Sequence, residues 1–393
     1  MFEYDEIDDT VYDKWGYEKY DDTVVVTEDR DISKNLTSVD RLIESFALDD
    51  VFFAQQEGKR KSEGEKLFGK VVYGDPKHVV FKSKLVEKFF KHFLVIRDYK
   101  SRGLLRVRTF SPNITAYMQW MDDVEQSIDT FEKVNALYGV DQRPDYRDLE
   151  NRVYQCFEKL SDKINDPRFK KLKLKIKKSC YKNYKSMLSY IERVFMKHSR
   201  LLIIRVDLSY KAEYSTSAQK PNAESNEISA EFEQVKSDIE RLLNNRRHNK
   251  IFKDLLGYIW KLEYGVLRGY HYHVIFFFDN AKRSQDIVIG KSIGEYWQNI
   301  ITKGRGTYYN VNGSSHYYKN DVRGVIHYTD THPRKGLEDI AKYFSKADYF
   351  MRLELPKQYQ RGRKSLYRTM GKGQIKIAPG SKRGRPRTIK ATE

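Results

Sequence analysis

Cysteine is almost missing. Cys156 and Cys180 are the only two in 393 residues, too few for a disulfide framework or a cysteine-rich zinc site, and a reducing cytoplasm is the natural compartment. Long apolar runs are missing as well: nothing approaches the roughly 18 residues that a membrane-spanning helix needs. The first residues are acidic and lack the apolar segment of a secretory signal. No glycine-rich loop of the P-loop kind occurs, which speaks against an ATP-driven motor, and no internal repeat is evident. These absences exclude secreted, membrane-spanning and ATP-motor classes.

Positive charge is abundant. Lys and Arg number 73 against 55 Asp and Glu, a formal charge of +18, which predicts attraction to a polyanion and salt-sensitive binding, with nucleic acid the first candidate. The charge is unevenly placed. Residues 1–31 carry 12 acids and 3 bases, residues 357–393 carry 12 bases and 1 acid, and the stretch between them holds +16. The basic character is therefore not an artefact of the tail. The chain divides into an acidic leader expected to be disordered (1–33), a mainly helical, lysine-rich domain (34–199), a mixed α+β domain (200–356) and a basic tail (357–393). Within the second segment, Lys171 to Lys177 alternates apolar and basic residues, a pattern open to a half-buried strand or a basic helix.

The most informative stretch runs from Glu263 to Phe278, two strand-like segments around a glycine-bounded turn. His271 and His273 are two apart, so in an extended segment both rings leave the same face while Tyr272 goes to the other. If Tyr264 and Tyr270 flank a five-residue loop, antiparallel pairing sets Glu263 across from His271, with roughly 5 Å between Cβ atoms. Two imidazoles and a carboxylate on one face leave coordination positions open, which suits a divalent ion that also holds a phosphate oxygen or a water. Asp207, in the apolar run Leu201 to Leu208, competes for the third position.

Further on, Leu337, Ile340, Ala341 and Phe344 recur at helical spacing after Pro333, and Tyr343 and Lys346 project from one side of that helix. Tyr-x-x-Lys alone carries little weight, because 29 tyrosines in a lysine-rich chain produce it by chance. The wider order is strand (Leu201 to Leu208), helix (Ile228, Phe232, Val235, Ile239, Leu242), two hairpin strands, helix (Ile289, Ile293, Trp297, Ile300), strand (Val322 to Tyr328) and the Tyr343 helix. That is a split βαβ pattern with one added helix, expected to form an antiparallel sheet covered by helices on one face, its other face open to a DNA strand. Between Gly304 and Lys319 the sequence reads as a loop in which Tyr308, Tyr309, Tyr317 and Tyr318 offer stacking surfaces for bases.

A glutamate followed by Gly-Tyr-His-Tyr-His-Val, then a helix with Tyr-x-x-Lys about 70 residues later, resembles the HUH endonucleases, and among them the rolling-circle replication initiators of filamentous phages and their prophage relatives. The resemblance covers residues 200–355. It implies a ferredoxin-like (RRM-like) HUH sheet, Mg²⁺ or Mn²⁺ held by His271, His273 and Glu263, Tyr343 as nucleophile on single-stranded DNA and Lys346 as its electrostatic helper. It also implies a bacterial host cell, an origin or hairpin as substrate, and a host helicase and polymerase as partners. Tyr349 lies six residues beyond Tyr343, about 240° around a helix, so the reading is of a single-tyrosine enzyme. A relaxase or transposase would use the same chemistry, and a non-catalytic DNA-binding regulator would keep the sheet without the activity.

Lys382 to Arg387 resembles an AT-hook, in which Arg383, Arg385 and Arg387 would meet the narrow minor groove of A·T-rich duplex DNA. Arg268, in the hairpin turn, is a further expected DNA contact.

Overall fold

The computed structural model describes residues 17–20, 23–26, 28–48, 84–105, 107–137, 146–215, 225–265, 269–314, 322–356, 360–361, 364–365 and 367–375. A short antiparallel pair, β1 (Tyr17–Tyr20) and β2 (Thr23–Val26), precedes helix α1 (Glu28–Leu48). Residues 28–33, expected in the leader, are thus part of α1. Ile32, Leu36, Val39, Ile43 and Phe46 recur at three and four, and all are buried, so α1 gains an apolar stripe that holds it to the core.

That stripe meets α2 (Lys84–Ser101), α3 (Pro112–Leu137) and α4 (Tyr146–Asn165) in an aromatic-rich helical core. Trp120 sits at its centre, with ring centroids 5.0 Å from Phe89 and 4.9 Å from Phe157. Strand β3 (Arg108–Phe110) interrupts the helices and pairs with a strand near the other end of the chain. Helix α5 (Pro167–Lys197) starts with Pro167 behind Asp166, whose side chain accepts the Arg168 N–H. The alternating lysines of 171–177 are therefore helical. Phe169, Ile176 and Cys180 pack toward the helical core, whereas Tyr184, Met187, Ile191 and Phe195 pack elsewhere.

They pack on a six-stranded antiparallel sheet. Strands β4 (Arg200–Tyr210), β5 (Leu255–Gly265), β6 (Gly269–Asp279), β7 (Gly306–Asn310) and β8 (Gly324–His327) form it with a short strand near the C-terminus. In it, β6 lies between β5 and β4, and β4 pairs with both β7 and β8. The other elements are α6 (Ser225–Asn245), α7 (Asp286–Tyr296), α8 (Thr331–Phe350) and β9 (Met351–Leu353), the partner of β3. The small pair β10 (Gln360–Arg361) and β11 (Lys364–Ser365) follows, and β12 (Met370–Lys372) joins the edge of β5. The protein is thus a mixed α+β structure with its helical part N-terminal. Among the described residues no helix is long and apolar enough to cross a membrane.

One expectation is overturned: both faces of the sheet are covered. Leu202, Ile204, Val206 and Leu208 face α6 and α7, and Leu201 and Ile203 of the same strand face α5 and α8. β6 is buried from Gly269 to Phe278, and only a strand with packing on both sides can be. No open face is left along its middle for a DNA strand.

Two smaller readings also change. Tyr308 and Tyr309 lie not in a loop but on β7, across from Leu208 and Asp207; Tyr317 and Tyr318 are outside the described residues. After Ile289, Ile293 and Trp297, the next buried residue is Ile301, and Ile300 is 57% exposed. Residues Trp297–Ile301 form a π-turn, which takes one extra residue and shifts the apolar stripe by one position.

Asp40 of α1 lies buried in the helical core, where Ser111 donates its hydroxyl to the carboxylate. Burial raises its pKa from 3.8 to about 6, against the opposing Ser111 hydrogen bond. The folded state therefore holds this proton more tightly than the unfolded chain, so the associated stability is whole below pH 3.8 and is lost as the pH rises through about 6. Asp40→Asn should gain stability relative to the parent as the pH goes from 4 to 7, by roughly 2–3 kcal/mol. Urea unfolding at the two pH values measures the difference.

Candidate metal centre and tyrosine site

Strands β5 and β6 are joined through residues 266–268, and Gly269 opens β6 with φ +63°. A side chain there would be strained, and its Cβ would fall 1.8 Å from the Ser215 hydroxyl oxygen, so glycine is needed. The register that follows pairs Gly265 with Gly269, Tyr264 with Tyr270 and Glu263 with His271. On the other side of β6, Asp207 of β4 stands across from His273. Alternation does the rest: Asp207, Lys261, Glu263, His271 and His273 share one face of three adjacent strands.

The two imidazoles are held from behind. His271 Nδ1 lies 3.1 Å from the Gly269 carbonyl oxygen, which can only accept, so this nitrogen carries the proton. His273 Nδ1 stands 2.8 Å from Asp207 Oδ1. Both Nε2 atoms are thereby turned toward Glu263, whose Oε2 is 3.9 Å from that of His271 and 3.4 Å from that of His273. Glu263, His271 and His273 each offer a ligand atom within 4.8 Å of the others. The rings are nearly perpendicular at 87°, and Phe344 stacks over His273 at 6.3 Å.

Charge inside this pocket is strongly coupled. Burial opposes ionisation of Glu263, yet the hydrogen bond and charge of His273, with the charges of His271 and Lys261, bring its pKa down to about 2. Burial likewise opposes a charged His273, but Asp207 and Glu263 on either side outweigh it and lift the pKa to about 9. Without an ion, a protonated His273 supplies the positive charge between two carboxylates. The fit to a cation is good on one further observation: Glu263 Oε1 is buried and has no hydrogen-bond partner among the described residues. Two imidazoles and a carboxylate with a spare oxygen, with Asp207 and the Gly269 carbonyl behind the rings, are a donor set that could hold a metal ion.

The tyrosine arrives from α8. Tyr343 donates its hydroxyl to Glu263 Oε2 at 3.1 Å, so the phenol touches the carboxylate that faces both histidines. Lower on the same helix, Asp348 forms a buried ion pair with Lys261. Tyr349 is packed into the helical core instead. Lys346 lies on α8, but its side chain is outside the described ones; Arg268, Arg383, Arg385 and Arg387 also lie outside the described residues.

Two buried cations of this face, Arg205 and Lys261, carry no role in the sequence pattern. Arg205 is buried two residues before Asp207, with Nη2 3.4 Å from Asp207 Oδ2. Asp207 stands at the nitrogen of His273 that points away from Glu263, outside the ligand trio. A signal was present: Arg205 and Asp207 are polar residues two apart inside an apolar run, and Lys261 precedes Glu263 by two, so each pair shares a strand face.

A family model described as YagK/YfjJ C-terminal domain matches residues 164–366, which take in α5, the sheet and α8. No curated protein and no solved structure matches the chain.

Replacing His271 or His273 by alanine should weaken Mn²⁺ binding, measured by calorimetry, by about 100-fold, and Asp207→Asn by about tenfold through loss of ring orientation. Unchanged affinity in both histidine variants would remove the metal assignment.

Proposed function

The chain belongs to the YagK/YfjJ C-terminal domain family, and from the geometry of its site we propose that it is a single-tyrosine HUH endonuclease and strand transferase acting on single-stranded DNA. The observation that carries this is the contact between Tyr343 and Glu263, 80 positions apart in sequence. A nucleophile-bearing side chain from one helix meets a carboxylate that also faces two imidazoles on a central strand. That is the juxtaposition a phosphodiester-cleaving tyrosine needs, and it supports reading the sheet as the HUH variety of the ferredoxin-like arrangement. The family's occurrence in prophage-like proteins is in keeping with a role in rolling-circle replication.

A divalent ion held by His271, His273 and Glu263 would neutralise charge developing on the phosphate oxygens. The two nitrogen donors favour Mn²⁺ over Mg²⁺. Tyr343 does the bond making. Its phenolic oxygen attacks phosphorus in line, the P–O3′ bond breaks, and the electron pair leaves on the 3′ oxygen, which takes up a proton as the phenol gives one to solvent. The products are a 5′-phosphotyrosyl link and a free 3′-OH that can prime a polymerase. The phosphotyrosyl bond keeps the energy of the phosphodiester, so attack by another 3′-OH rejoins the strand without ATP.

Glu263 accepts the hydrogen bond that points the phenol into the site. Asp207, braced by Arg205, keeps the His273 ring turned. Phe344 and the apolar residues of α8 exclude water from one side. Lys346 is the expected electrostatic helper, and the basic tail the expected duplex contact.

Incubation of the protein with Mn²⁺ and a randomised pool of single-stranded oligonucleotides should give a protein–DNA band that survives denaturant. Tyr343→Phe should abolish the band while leaving non-covalent binding within about twofold, since only one hydroxyl is removed. A band that persists in Tyr343→Phe assigns the chemistry to another nucleophile. No band from the parent protein with any strand leaves a DNA-binding regulator.

A further inference from the structure

At the end of the sheet remote from the metal group, the turn between α6 and β5 lines an open, shallow cleft of about 460 Å³. Arg246, Arg247, His248, Lys250 and Lys253 line it against a single carboxylate, Asp254. That carboxylate is already approached by two further cations, Lys282 at 3.5 Å and Arg283 at 3.7 Å. The concavity therefore holds uncompensated positive charge. Arg247, Lys250 and Lys253 are exposed, and no side-chain hydrogen bond or ion pair engages them among the described residues.

The turn that carries these cations is built. The Asn249 side chain accepts the Ile251 N–H at 2.9 Å, Arg283 donates to the Lys250 carbonyl at 2.9 Å, and the Asp279 N–H donates to the Asp254 carbonyl at 3.1 Å. Phe252 is buried beneath it, and the Arg246 guanidinium lies over the Tyr258 ring at 4.9 Å. Like charges on a fixed loop repel one another, and a ligand with several negative charges relieves the repulsion at several of them together. The backbone of the turn therefore needs little ordering on binding.

We propose that this cleft is a second nucleic-acid contact, binding the phosphate groups of a strand. Arginine and lysine together suit phosphate oxygens, the first by paired hydrogen bonds and the second as a point charge. Phe252, the only Phe, Tyr or Trp in the lining, is buried, and the exposed lining is mostly cationic, so recognition is mainly of the phosphate backbone. Leu255 and Glu263 are eight residues apart on β5, which sets the cleft roughly 25 Å from the metal group. The contact goes beyond nicking and stands whether or not Tyr343 forms a covalent link.

The test is fluorescence anisotropy of a labelled homopolymeric single strand over a salt series, without divalent metal. The triple variant Arg247→Glu, Lys250→Glu, Lys253→Glu should lose about tenfold or more in affinity at low salt, and its slope of log affinity against log salt should fall by about 2, as expected for three lost phosphate contacts. Its melting temperature and Mn²⁺ affinity should match the parent, because the altered side chains are exposed. The charge-keeping variant Arg247→Lys, Lys250→Arg, Lys253→Arg should bind like the parent. Parent-like affinity and slope in the glutamate variant would overturn the proposal. So would saturable binding of AMP, or of anionic phospholipid vesicles, that the glutamate variant loses while strand binding persists.

Discussion

The register of β4, β6 and β5 is the constraint on which the site depends. It sets Glu263 beside His271 and His273 beside Asp207, and because side chains alternate, it gathers them on one face. Slipping β5 by one residue against β6 would send Glu263 and Lys261 to the opposite face and bring Leu262 and Trp260 in their place. That slip is resisted from both sides. Trp260 and Leu262 are buried against the α6 and α7 layer, and the left-handed Gly269 leaves the hairpin little freedom to re-pair. Buried acids and bases that cannot separate must pair, and here they pair with one another.

Helix α8 is located by a second match of spacings. Tyr343 and Asp348 reach Glu263 and Lys261, respectively. Five helical residues rise about 7.5 Å and two strand residues about 6.8 Å, so both contacts close together. Leu337, Ile340, Ala341 and Phe344 fill the space against the sheet, while Tyr349 and Phe350 at the end of α8 enter the helical core. The helix that carries the phenol is thus clamped at one end to the sheet and at the other to the N-terminal helices. Arg108 adds a tie, donating to the Tyr264 carbonyl at 2.9 Å where β5 ends. This places the N-terminal part of the chain in support of the tyrosine and of the hairpin.

Much of this was legible in the residues. The Glu263 to Phe278 hairpin and its register could be read from a period of two and from the two glycines, because those signals are local. The α6 and α8 stripes were legible from a period of three and four. The second covering of the sheet was not, because α5 is basic along much of its outer face and its apolar residues are split between two cores. Reading β7 as a loop failed for a related reason: a short edge strand with Gly, Tyr and Asn draws its stability from β4 rather than from its own composition. The π-turn at Trp297 hides in sequence because one extra residue changes the phase without changing residue types.

Sequence alone determined which atoms are available: two imidazoles two residues apart, a glutamate one hairpin away, a tyrosine on an amphipathic helix and a surplus of cations. Those follow from covalent order and local periodicity. Only tertiary structure decided that Asp207 stands behind His273 rather than joining the ligands, that Lys261 answers Asp348, and that the residues between α6 and β5 form a cationic cleft. Each of these joins side chains distant in sequence, or sets the shape of a turn by its neighbours, and both are settled by packing between layers rather than by local periodicity.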